Sequence, residues 1–155
     1  MSINYLQKRH FTRVAWPPAR QPARQTTFVL TRNDRLGIER VLREGELSHI
    51  AYPIILTGFL RHKLRTAGAA PDPVPDSLVT AGCLVTYMVS DSDIETEFLT
   101  FDPMPSVGSI PVSSLLGATM IGMRRGQKAP LLREDGGIVS LVILDSDRPR
   151  SASAA

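Results

Sequence analysis

One cysteine stands in 155 residues, so no disulfide can close within the chain and no cysteine cage can hold a metal. That residue, Cys83, sits in the apolar run Gly82-Cys83-Leu84-Val85, the setting of a buried structural thiol. Aromatic residues make up only 6% of the chain, and the small basic clusters around Arg61 and Arg124 have no aromatic residues interleaved in the way that stacks bases. The longest apolar runs, around Ile50 to Leu56 and Ile138 to Leu144, fall far short of the roughly 20 residues a spanning helix needs. The start lacks the apolar stretch of a secretory signal. A soluble, cytoplasmic protein with no membrane partner is expected. No nucleophile-base-acid set, Gly-x-Gly-x-x-Gly or phosphate-binding loop is present, so neither enzymatic activity, a cofactor nor a small-molecule substrate is expected. His10, His49 and His62 have no carboxylate or cysteine at ligand spacing, and no metal site is expected.

Acid is missing from one end. The net charge is +3, yet residues 1–26 hold Lys8, Arg9, Arg13, Arg20 and Arg24 without a single Asp or Glu, and the rest carries 13 basic against 15 acidic residues, a net of −2. Trp16-Pro17-Pro18 and Pro22 break any long helix there. This reads as a flexible basic arm, which either contacts nucleic acid or an acidic protein by screened electrostatics or serves as a solubilising extension. Two further basic groups, Arg61 with Lys63 and Arg124 with Arg125, are candidates for phosphate contact or plain solvated faces.

Along the chain, Phe28-Val29-Leu30 reads as a short strand. Asn33 or Asp34 can cap a helix with an apolar stripe of Leu36, Ile38, Val41 and Leu42, and Arg35, Glu39 and Arg43 at four-residue steps can pair in solvent. Glu44-Gly45-Glu46 ends it. Pro53 suits the first position of a second helix with Leu56, Phe59, Leu60 and Leu64 on one face. Two antiparallel helices of about a dozen residues, or ~18 Å each, follow. Beyond a Gly- and Pro-rich linker the pattern becomes β, with strands over Leu78 to Val89 and Ile94 to Phe101 turning at Asp91-Ser92-Asp93. The expected divisions are an arm over 1–26, a strand and helical hairpin over 27–67, a linker over 68–76, a sheet domain over 77–148 and a disordered tail over 149–155.

The most specific stretch runs from Ile110 to Leu144. Ser113 or Ser114 can cap a short helix of about two to three turns, Gly122 sits where that helix ends, and Gly126 permits the turn into a strand. Glu134-Asp135-Gly136-Gly137 makes a tight hairpin between Leu131-Leu132 and Ile138 to Leu144. With Gly82, Gly117 and Ala118, this order resembles the C-terminal domain of the GreA/GreB transcript-cleavage factors and of their shorter relative Rnk, the regulator of nucleoside diphosphate kinase; the short helices bring it nearer to Rnk. The resemblance implies an α+β fold, a short antiparallel helical hairpin followed by an FKBP-like curved antiparallel sheet around one short helix.

It also implies a partner, RNA polymerase. In the cleavage factors a coiled coil of two long helices carries an Asp and a Glu at its tip into the polymerase secondary channel, where they help hold a catalytic metal. Here the helices are too short for that reach, and Glu44 and Glu46 read as a polar turn, so transcript cleavage is not expected. The family loop Ile-Ser-x-Asp-Ser-Pro touches the channel rim through its Ser, Asp and Pro; this chain has Pro111, Ser113 and Leu115 at those places. Pro111, Ser113, Ser114 and Leu115 are therefore the candidate partner-binding residues, or else a segment that only seats the helix. The function implied is a non-catalytic regulator of transcription elongation bound near the secondary channel. The alternative is a diverged protein- or nucleic-acid-binding module, DNA included, using the same scaffold and the basic arm.

Overall fold

Thr31, one residue after a short strand, opens the first helix. In the computed structural model, which describes residues 27–44, 52–90 and 92–149, its hydroxyl accepts the Asp34 N–H at 3.0 Å. The cap thus precedes the Asn33 or Asp34 expected from sequence, because Thr31 keeps extended backbone while Arg32 onward is helical. Strand β1 (Val29–Leu30) leads into α1 (Arg32–Arg43), and α2 (Pro53–Thr66) follows with Pro53 in its first turn. Strand β2 (Gly68–Ala69), inside the stretch read as a linker, pairs in parallel with β1. The two helices are antiparallel and closed at their base. Arg35 reinforces that base: its guanidinium donates to the carbonyls of Leu64 at 2.6 Å and Ala67 at 2.9 Å. It does not pair with Glu39 in solvent, because the free carbonyls at the end of α2 lie within its reach.

The second half is a five-stranded sheet. Its strands are β3 (Leu84–Val89), β4 (Ile94–Thr100), β5 (Ser109–Pro111), β6 (Lys128–Leu132) and β7 (Ile138–Asp147), in the order β5-β4-β3-β7-β6. All neighbours are antiparallel except β4 and β5, which run parallel, so the expected antiparallel sheet has one parallel edge. The long run from Leu78 is interrupted at Gly82, whose φ of +90° turns the chain. Leu78 instead makes an isolated bridge to Arg124. A register shift between Thr86 and Tyr87 bends the central β3–β7 pair. Helix α3 (Leu115–Met120) packs on the sheet as a single six-residue piece, shorter than the two to three turns expected.

One apolar cluster joins both halves. Leu30 of β1 and Ile38, Val41, Leu56 and Leu60 of the helical pair are buried with Val85, Leu99, Met120, Ile121, Leu141 and Ile143 from the sheet side. Gly37 on α1 lies so close to the Phe101 ring that a Cβ there would collide with it. At Gly122, with φ of +84°, a Cβ would stand 2.8 Å from the Val29 carbonyl oxygen. The helical pair is seated against the sheet domain.

Candidate partner-binding surfaces

The loop between β5 and α3 is fixed by one hydroxyl. Ser114 Oγ donates to the Pro111 carbonyl at 2.7 Å and accepts the Gly117 N–H at 3.0 Å, so Ser114 is the helix cap of the two candidates. Gly117 is needed for the same fit, since a Cβ there would run into the Pro111 carbonyl. Ser113 is only 5% exposed and cannot serve as a surface donor or acceptor. Ser114 and Leu115 line a groove of about 430 Å³ whose far wall is the β6–β7 hairpin: Leu131, Leu132, Arg133, Glu134 and Asp135. In the sequence Glu134 and Asp135 read only as turn formers. The fold sets them beside the loop, a placement visible in the sequence only once β6 and α3 are known to be neighbours. Tyr52, just before α2, donates its phenol proton to the Glu134 carbonyl at 2.6 Å and ties the helical pair to this hairpin.

Lys63 corrects the sequence reading. Its neighbours in the chain mark it as a basic surface contact, but it is 2% exposed. Its ammonium donates to the carbonyls of Ala118, Thr119 and Ile121 at 2.5, 2.9 and 2.8 Å. The rings of Phe28 and Phe59 stand 4.0 and 5.3 Å away. Burial pushes its pKa well below the usual lysine value. Three carbonyl acceptors, the negative end of α3 and two ring faces oppose that shift, and only the protonated amine has a donor for each. Lys63 is a structural cap on α3.

The remaining candidates are scattered. Arg61 and Arg124 are exposed, and Arg125 pairs with Asp145 at 2.9 Å on the surface. Glu44 is exposed where α1 ends. Lys8, Arg9, Arg13 and Glu46, with His10 and His49, lie outside the described residues. Among the described residues no group of three or more His, Cys, Asp or Glu side chains is placed to hold a metal. No described helix is long and apolar enough to cross a membrane.

Two other polar groups are buried. Asp34 Oδ1 accepts the Ala81 N–H at 3.1 Å, while Oδ2 has no hydrogen-bond partner; burial pushes this carboxyl above its usual range. The Tyr87 phenol lies 2.7 Å from a carboxylate oxygen of Glu95 and 2.7 Å from one of Glu97. Burial, together with these two carboxylates, pushes the phenol far above the usual tyrosine value.

No protein-family model matches the chain. No curated protein matches its sequence. Solved structures do. A prokaryotic transcription elongation factor GreA/GreB from Nitrosomonas europaea superposes with a TM-score of 0.55 at 19% identity, over 78% of this chain and 99% of that one. GreA factor homolog 1 of Thermus thermophilus covers 77% of this chain and 98% of its own at 12% identity and a TM-score of 0.39. Gfh1 of Thermus aquaticus covers 79% and 99% at 12% identity and a TM-score of 0.41. The chain has a GreA/GreB-like fold.

Proposed function

We propose that this protein is a regulator of transcription elongation that binds RNA polymerase at the secondary-channel rim and does not cleave transcripts, as a protein closer in build to Rnk than to the cleavage factors. The observation that carries this reading is the β5–α3 loop, locked by Ser114 against Gly117 on a GreA/GreB-like scaffold. Ser113 and Leu115 replace the family's Asp and Pro there, but Glu134 and Asp135 bring carboxylates to the same groove from the opposite wall. A basic rim can still be met by negative charge. The length of the helices supports a role without cleavage: α1 has 12 residues and α2 has 14, so neither exceeds about 21 Å at 1.5 Å per residue. Both also share the core of the sheet domain.

Retention on immobilised core polymerase, lost on adding excess GreA-type factor, is the expected result. No retention, or retention indifferent to the competitor, would refute it. Added to stalled elongation complexes with Mg²⁺, the protein should release no shortened transcripts. A second reading draws on the five basic residues and no acid in positions 1–26, which suit a module for nucleic acid or another protein. Under it, deletion of those residues abolishes binding and the affinity falls steeply with salt.

A further inference from the structure

The sheet has one guarded edge and one open one. On β6 the outer strand carries Pro130, which has no N–H to offer, and Lys128, two of the devices by which edge strands avoid pairing with other chains. The opposite edge is covered by β5 only from Phe98 to Thr100. Ile94, Glu95 and Thr96 are exposed on β4 beyond that cover.

The ladder fixes which backbone groups point outward. Leu99 N–H bonds to Cys83 on the β3 side, whereas Phe98 N–H bonds to Gly108 and the Thr100 carbonyl accepts from Val112 on the β5 side. Alternation then turns the N–H and C=O groups of Ile94 and Thr96 to the open edge, and those of Glu95 and Glu97 to β3. The side chains alternate as well. Ile94, 62% exposed, and Phe98, 43% exposed, stand on the outer face. Glu95 and Glu97 stand on the other, both directed at the single Tyr87 phenol proton. The phenol has one proton for two carboxylates, and the described residues hold a single ion pair, at Arg125 and Asp145, so this acidic face has no basic partner among them.

The geometry points to the open edge of β4 as a docking site for an extended segment, from a partner protein, in which basic residues alternate with apolar ones. The segment adds a strand beside Ile94 and Thr96, sets its apolar side chains on Ile94 and Phe98, and presents Lys or Arg to Glu95 and Glu97. Charge decides against a second copy of this chain as the occupant. An antiparallel β4–β4 pair centred on Thr96 would set Glu95 of one copy opposite Glu97 of the other, and like charges directly opposite are destabilising. The inference stands independently of any polymerase.

The test uses the full ¹⁵N-labelled chain and a synthetic capped peptide of alternating lysine and valine. The peptide should slow hydrogen exchange at the Ile94 and Thr96 amides by tenfold or more and leave the Glu95 and Glu97 amides unchanged. The Glu95→Gln, Glu97→Gln double variant should weaken binding at least fivefold and flatten its salt dependence; Ile94→Thr should weaken it without changing that dependence. An alternating glutamate and valine peptide should not bind. Binding that spares the Ile94 and Thr96 amides, or that survives the double variant, overturns the inference. Protection that grows with protein concentration in the absence of peptide would make the occupant a second copy and also overturn it. Protection already present without peptide and independent of concentration would assign the edge to the chain's own residues and overturn it too.

Discussion

Lys63 and Asp34 are charged side chains at positions where a helix stripe calls for an apolar one. Lys63 falls seven residues after Leu56 and three after Leu60; Asp34 precedes Ile38 by four and Val41 by seven. All six are buried. The neighbouring run Arg61-His62-Lys63-Leu64-Arg65 reads as a solvated basic face, and only the spacing to Leu56 and Leu60 marks Lys63 as different. Lys63→Met would strip the ends of Ala118, Thr119 and Ile121 of their shared donor. Some desolvation is regained, and a net loss of about 2 to 4 kcal/mol is expected from urea unfolding, given about 1–3 kcal/mol for each buried group left unpaired. Asp34 gives a pH signature. Its folded pKa is raised, so just above the usual carboxyl range the native state holds more protons than the unfolded one, and stability falls as pH climbs through the raised value. Asp34→Asn keeps an acceptor for the Ala81 N–H and removes the buried charge. It should be more stable than wild type at pH 7, with the difference vanishing as pH falls below the ordinary Asp value; an unchanged gap across that range would contradict the burial argument.

Among the elements, α3 shows how little sequence a working cap requires. Its six residues make no stable helix alone, and they hold because Ser114 caps one end, Lys63 the other, and Gly117 lets β5 pass against the first turn. Gly117→Ala should cost about 1–3 kcal/mol by overpacking and shift the amide resonances of Pro111 neighbours Val112 and Ser114; wild-type stability with unmoved resonances would mean that the close approach is relieved at no cost. The elements themselves are legible from local chemistry. Apolar stripes mark both helices, Pro53 the start of the second, and the turn at Asp135-Gly136-Gly137 the β6–β7 hairpin, with Gly136 at φ +83°. What local chemistry does not supply is pairing between distant segments. The β1–β2 contact joins Val29 to Gly68 and Leu30 to Ala69; Phe28-Val29-Leu30 is legible as a strand, but Gly68-Ala69 lies in a Gly- and Pro-rich stretch that reads as a linker. The groove beside Leu115 likewise exists only because β6 returns past α3.

At the scale of the molecule, the shared core makes a mechanical statement. Ile38 and Leu56 pack in the same cluster as Leu99 and Leu141, and Tyr52, Lys63 and Asp34 each reach across to the sheet side by a hydrogen bond. Helices and sheet should therefore unfold together. Far-ultraviolet circular dichroism, dominated by α1 and α2, and the amide resonances of Tyr87 and Val142, in β3 and β7, should give coincident urea transitions. Separate midpoints would show two independently folding halves. The buried thiol adds a practical corollary. Cys83 is 1% exposed and hydrogen-bonded at 3.2 Å to the Thr80 hydroxyl, and no second sulfhydryl exists in the chain. A cysteine introduced at Val107, Met104 or another outward position would be the sole target of a maleimide dye in the native protein. Site-specific fluorophores can thus be placed on this surface without first removing anything.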